Sequence, residues 1–86
     1  MGQAVTNPIL IVEVLSESTE RYDRDGKFQA YKQIASLREY VLVSQELRRL
    51  EVFRRADAWV GEVGAAGGSL RIHGALIEVE QVYGAG

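Results

Sequence analysis

The chain has no cysteine, and only one histidine, one proline, one methionine and one tryptophan. Without cysteine there is no disulfide scaffold, no thiolate metal site and no cysteine nucleophile. The single histidine, His73, has no partner cluster, so no Ser-His-Asp arrangement can be drawn, and it reads as an exposed loop residue. Scarce proline beside frequent Leu, Ile and Val excludes a collagen-like chain, a disordered tail and a low-complexity linker. Long apolar runs are missing too. The longest, Ile9 to Val12, resumes at Val14 and Leu15 after Glu13. That is far short of the ~20 residues a bilayer-crossing helix needs. No basic start followed by an apolar stretch marks a secretory signal. The expectation is a cytoplasmic protein with no membrane partner. Neither sign of charge dominates: the formal net charge is −2 and the pI about 5.3. No global positive field draws in nucleic acid, so any such contact must come from a local patch.

What remains is 86 residues, 47% of them apolar and 26% charged. This is room for one domain, residues 1–86, with a thin core that removes only roughly 60–65% of the unfolded chain's surface from water. After a polar leader, Asn7-Pro8 signals strand entry, and Ile9 to Leu15 predicts a strand buried on both faces. A polar loop follows. A helix is expected from Asp23, as its cap, to about Ile34, with Phe28, Tyr31, Ile34 and Ala35 along its apolar face. Glu39 to Ser44 predicts a second strand. Leu50 to Arg55 alternates, Ala56-Asp57 is a tight turn, and Ala58 to Val63, carrying Trp59, is the hairpin partner. Gly64 to Gly68 is expected as a flexible loop, with short strands at Ser69 to Ile72 and Leu76 to Val79 and a fraying tail. The order predicts an α/β or α+β layer, one main helix on a mixed sheet.

Glu13 is the most informative residue. A carboxylate within an apolar strand is costly to desolvate unless it is paired, metal-bound or at the sheet rim. Parity places it with Ile9, Ile11 and Leu15 on one face. Lys27 lies in the first helical turn, where a cation opposes the helix dipole. If strand and helix pack together, its amine reaches the face carrying Glu13. A lysine beside a metal-bound carboxylate can orient a water or stabilise phosphorane charge. The plainer readings are a rim Glu paired with an Arg, and a solvated Lys27 paired with Asp23. Arg48, Arg49, Arg54 and Arg55 bracket the hairpin and could touch phosphates, although alternation reads them as a solvated rim. Asp23-Arg24-Asp25-Gly26 has its glycine too early for a calcium loop. Gly64 to Gly68 lacks the Lys-Ser/Thr of a phosphate loop.

The stretch Asn7-Pro8-Ile9-Leu10-Ile11-Val12-Glu13-Val14-Leu15-Ser16-Glu17-Ser18-Thr19-Glu20-Arg21-Tyr22-Asp23-Arg24-Asp25-Gly26-Lys27-Phe28 resembles the signature of the Uma family of restriction-type endonucleases. Tyr31, then Ile34 to Val43, and the closing Leu76 to Tyr83 continue the resemblance, which covers nearly the whole chain. It implies a PD-(D/E)XK nuclease fold and a metal-dependent phosphodiesterase acting on DNA. Carried over by position, Glu13 is the acidic metal ligand for Mg2+ or Mn2+, and Lys27 is the active-site lysine, placed on the helix. Asp23 matches a recurrent position and is expected to cap that helix.

The family's other metal-binding aspartate lies in an upstream Pro-Asp strand, whereas the six residues before Asn7 contain neither Asp nor Glu. The resemblance is therefore to the C-terminal half of the family's domain. A competent centre is expected only if another chain supplies the aspartate; otherwise activity is lost. Missing neighbour strands would leave the first strand with an open edge, so a homo-oligomer, most simply a homodimer, is expected. Two other readings stand beside the nuclease: a non-catalytic α/β association module, and a nucleic-acid-binding remnant using the hairpin arginines.

Overall fold

The structure is a computed structural model that describes residues 7–16 and 26–84. In chain order it contains β1 (Leu10–Leu15), α1 (Phe28–Lys32), β2 (Glu39–Ser44) and β3 (Arg49–Arg54). A 3₁₀ turn (Arg55–Asp57), β4 (Gly61–Ala65), β5 (Ser69–Ile72), β6 (Ala75–Glu78) and α2 (Val79–Tyr83) follow. Four strands form one sheet in the order β1-β2-β3-β4, and β5 and β6 form a separate hairpin. β1 and β2 run parallel, with Glu13 beside Leu42, while β2–β3 and β3–β4 are antiparallel. A parallel pair needs a crossover, and α1 lies in it. The result is the expected mixed sheet in an α+β layer.

Burial follows position in the sheet. β2 is central, and Tyr40, Val41, Leu42 and Val43 are all buried. Their alternation sorts two clusters. Tyr40, Leu42, Phe53 and Leu15 pack under α1 with Ile11, Phe28, Tyr31 and Trp59. On the opposite face Val41, Val43, Leu50 and Val52 pack against Leu70 and Val79, from the β5–β6 hairpin and α2.

β1 differs from expectation here. Ile11, Glu13 and Leu15 face α1, but Val12 and Val14 on the other face are 53% and 64% exposed. The strand buried on both faces is β2; among the described residues β1 is an edge strand covered on one side. Its apolar composition reports strand propensity, whereas burial depends on where the strand sits in the sheet.

Among the described residues the helix ends at Lys32, two residues before the predicted Ile34. Gly26 and Lys27 lead into Phe28–Lys32, Ile34 is half-buried and Ala35 is exposed. The predicted cap Asp23 and the loop residues Ser18 and Thr19 lie outside the described residues. α1 is held by Phe28, whose ring lies 4.6 Å from Phe53, 5.1 Å from Tyr40 and 5.9 Å from Trp59.

Trp59 belongs to the turn and not to a strand. Ala58 and Trp59 both adopt left-handed angles (φ 56° and 63°). Bonds from Ala58 N–H to Arg55 O and from Trp59 N–H to Arg54 O close that turn. β4 accordingly starts at Gly61, and Gly64 and Ala65 are strand, which leaves Ala66–Gly67 as the turn. The β5–β6 hairpin turns at His73–Gly74, both with positive φ, the geometry that two-residue hairpins favour. His73 is exposed there, as predicted. Helix α2 is unpredicted. Gln81 accepts a bond from Glu78 N–H at its start, and the Tyr83 hydroxyl sits 2.6 Å from Ser44 O and 2.9 Å from Arg49 O at its end. That hydroxyl ties α2 to the β2–β3 turn.

Candidate active site

Glu13 stands at the middle of β1 on the face that α1 covers. Lys27 immediately precedes α1 and already has helical angles (φ −68°, ψ −36°), so Lys27 and Tyr31 stand one turn apart on the same helical flank. Both reach Glu13. The Tyr31 hydroxyl donates to Glu13 Oε2 at 2.7 Å, and Lys27 Nζ lies 3.5 Å from Oε1. The first distance is that of a short bond to a carboxylate. The second is a charge contact at the outer limit of hydrogen bonding. The Glu13 side chain is 21% exposed and that of Lys27 38%. The carboxylate is thus neither stranded in the core nor free in solvent, and the cation that opposes the helix dipole has an anion beside it.

The two residues singled out from sequence are therefore brought together. Tyr31 was assigned to the apolar face, and its ring does pack there, edge-on to Tyr40 at 5.2 Å. Its hydroxyl was missed. Glu51 was missed as well. It sits in the same cross-sheet row as Glu13, with Leu42 between them. Two strand spacings separate their backbones by about 10 Å. Its carboxylate lies beside Gly61 and 3.8 Å from Arg49. Strand parity alone could have placed Glu51 on this face. Among the described residues no three His, Asp or Glu side chains form a metal-binding group.

Of the hairpin arginines, Arg48 and Arg49 fit the solvated rim, with side chains 51% and 37% exposed, whereas Arg54 and Arg55 do not. The Arg54 side chain is only 16% exposed, donates to Glu62 Oε1 at 2.7 Å and to Arg71 O at 2.5 Å, and has Glu39 and Asp57 within 3.7 Å. The Glu62 bond is the main cause holding its guanidinium pKa above the ordinary arginine value. Arg55 donates to Leu37 O and Ile34 O, each at 2.7 Å, and lies over the Trp59 ring. Arg48 pairs with Glu80, and Arg49 with Glu51. Each of the four is committed to a partner within the chain. Among the described residues no helix is long and apolar enough to cross a membrane.

A mixed sheet of four strands, a second small sheet and a helix that sets a lysine and a tyrosine on a strand carboxylate are consistent with a restriction-endonuclease-like fold. The family model Uma2, described as "putative restriction endonuclease", matches residues 2–79, and the chain belongs to that family. Two proteins of Synechocystis sp. are similar. "Uncharacterized protein slr1290" is 46% identical over 55 residues, which are 64% of this chain and 29% of the relative. "Uncharacterized protein sll1609" is 46% identical over 52 residues, 60% of this chain and again 29% of the relative. The stretches matched thus span less than a third of either relative's length. No solved structure matches the chain.

Proposed function

We propose that the chain carries part of a metal-dependent DNA endonuclease centre, with Glu13 as metal ligand and Lys27 beside the reacting phosphate. The observation that supports this is the convergence of Lys27 and Tyr31 on Glu13, in a chain of this family. The donor set suits a hard divalent ion such as Mg2+ or Mn2+. One carboxylate with one donor on each oxygen keeps lone pairs to spare, and such ions bind through one or two carboxylates plus substrate phosphate. The chemistry such an ion supplies is polarisation of a phosphoryl oxygen and a more acidic bound water. Lys27, with its ammonium beside Glu13 Oε1, places positive charge where a phosphorane would develop its negative charge. A second carboxylate beside Glu13 would complete the ligand set that such an ion needs.

The test is nicking of supercoiled plasmid by the purified chain with Mg2+ or Mn2+, beside a Glu13→Gln variant and a chelator. The expected result is slow nicking that requires both the metal and Glu13. No nicking by a folded, associated sample would sink the catalytic reading and leave the non-catalytic association module. One observation favours that second reading: the edge of β1 that is open among the described residues, with Val12 and Val14 exposed beside it.

A further inference from the structure

We propose that Tyr31 is a positioning residue for Glu13: its hydroxyl fixes the carboxylate plane so that Oε1 stays beside Lys27. Of the two groups that touch Glu13, the tyrosine is the closer, at 2.7 Å against 3.5 Å. It is also the better braced. Its ring packs edge-on against Tyr40, which is fully buried in the central strand β2, so the hydroxyl inherits the rigidity of the sheet. Lys27 reaches Glu13 on a flexible, more exposed stem and cannot define an orientation by itself. The spacing also fits the role. Residues 27 and 31 lie one helical turn apart, so α1 delivers its cation to one oxygen and its hydroxyl to the other. The competing account makes Tyr31 a packing residue, for which the ring matters and the hydroxyl does not.

Tyr31→Phe removes one oxygen and keeps the ring. The first readout is independent of metal: NMR couplings along the Glu13 side chain. The wild type should show one rotamer and Tyr31→Phe averaged values, with the near-UV circular dichroism of the folded chain retained. The second is Mn2+ titration followed by electron paramagnetic resonance, where the variant should bind about tenfold more weakly, as is usual when a group supporting a metal ligand is lost. Only this second arm rests on the metal-dependent reading. A wild type that binds no Mn2+ overturns that reading, while the couplings still decide the role of Tyr31. Phe28→Leu is the control for helix docking. It should lower the melting temperature and leave Glu13 in one rotamer. Unchanged couplings in Tyr31→Phe, or equal loosening in Phe28→Leu, would overturn the proposal.

Discussion

At the scale of single residues, the polar side chains of this molecule act chiefly on its own backbone and on one another. Arg55 is the clearest case. A short helix leaves its last carbonyls without intrahelical partners, and past the end of α1 the Arg55 fork donates to Ile34 O and Leu37 O. Arg55→Lys keeps the charge but loses the planar fork and its stacking on Trp59. Charge-assisted bonds of this kind contribute roughly 1.5–3 kcal/mol each, so the substitution should cost about 2 kcal/mol in urea unfolding. A loss too small to measure would mean that water replaces the guanidinium at both carbonyls. Arg54 works differently, as a centre for Glu39, Glu62 and Asp57. Its raised pKa means that whatever stability this charge contributes is fully present below the ordinary arginine value and is lost only as pH rises through the higher folded value. The arginine side of that network therefore stays charged across the whole working range.

At the scale of elements, how β4 meets the β5–β6 hairpin is set by side-chain volume. A Cβ on Gly64 would lie 2.8 Å from Leu70 Cγ and 3.2 Å from Val79 Cγ2, both fully or nearly fully buried. Gly64→Ala should therefore push the hairpin and α2 off the sheet and cost about 1–3 kcal/mol as overpacking. Gly67→Ala tests a different term. It has open space around it but φ of +84°, so its cost should be about 1 kcal/mol of backbone strain. Urea unfolding with near-UV circular dichroism separates the two, because only the Gly64 variant should disturb the packing of the second face. Equal losses with unchanged spectra would count against this account. These glycines also show which features were legible from sequence. Glu39–Ser44 and Ser69–Ile72 match prediction to the residue, since short β-branched runs between turn signals carry their own evidence. Gly64 looked like loop because glycine in a strand marks close approach by something distant in sequence. Helix α2 is too short to show a period, and its one available signal was the spacing of Glu78 and Gln81. The meeting of Glu13 and Lys27 was foreseeable from strand parity and helix position. The Tyr31 hydroxyl was hidden by the apolar periodicity of its own ring.

At the scale of the whole molecule, the unsettled feature is the outer edge of β1. Among the described residues β1 pairs only with β2, which leaves a row of backbone donors and acceptors beside exposed Val12 and Val14. The prediction is that a second copy of this chain pairs at that edge, because the row Leu10, Val12 and Val14 is wholly apolar and would meet its own kind under a twofold axis. A twofold puts the two strands antiparallel, and charge chooses the register. Pairing centred on Glu13 would set two carboxylates face to face, which is unfavourable. Pairing centred on Val12 sets Glu13 opposite Ile11 of the partner subunit and Val14 opposite Leu10 of the partner subunit. Val12→Lys then places two like charges directly across the axis, on a side chain already 53% exposed in the monomer. In sedimentation velocity across a concentration series the wild type should run as a dimer and Val12→Lys as a monomer. The two should show similar melting profiles when compared at low concentration, because Val12 contributes little to the core of one subunit. A monomeric wild type would remove both the dimer and the observation favouring the association module. A Val12→Lys dimer would move the interface to another surface.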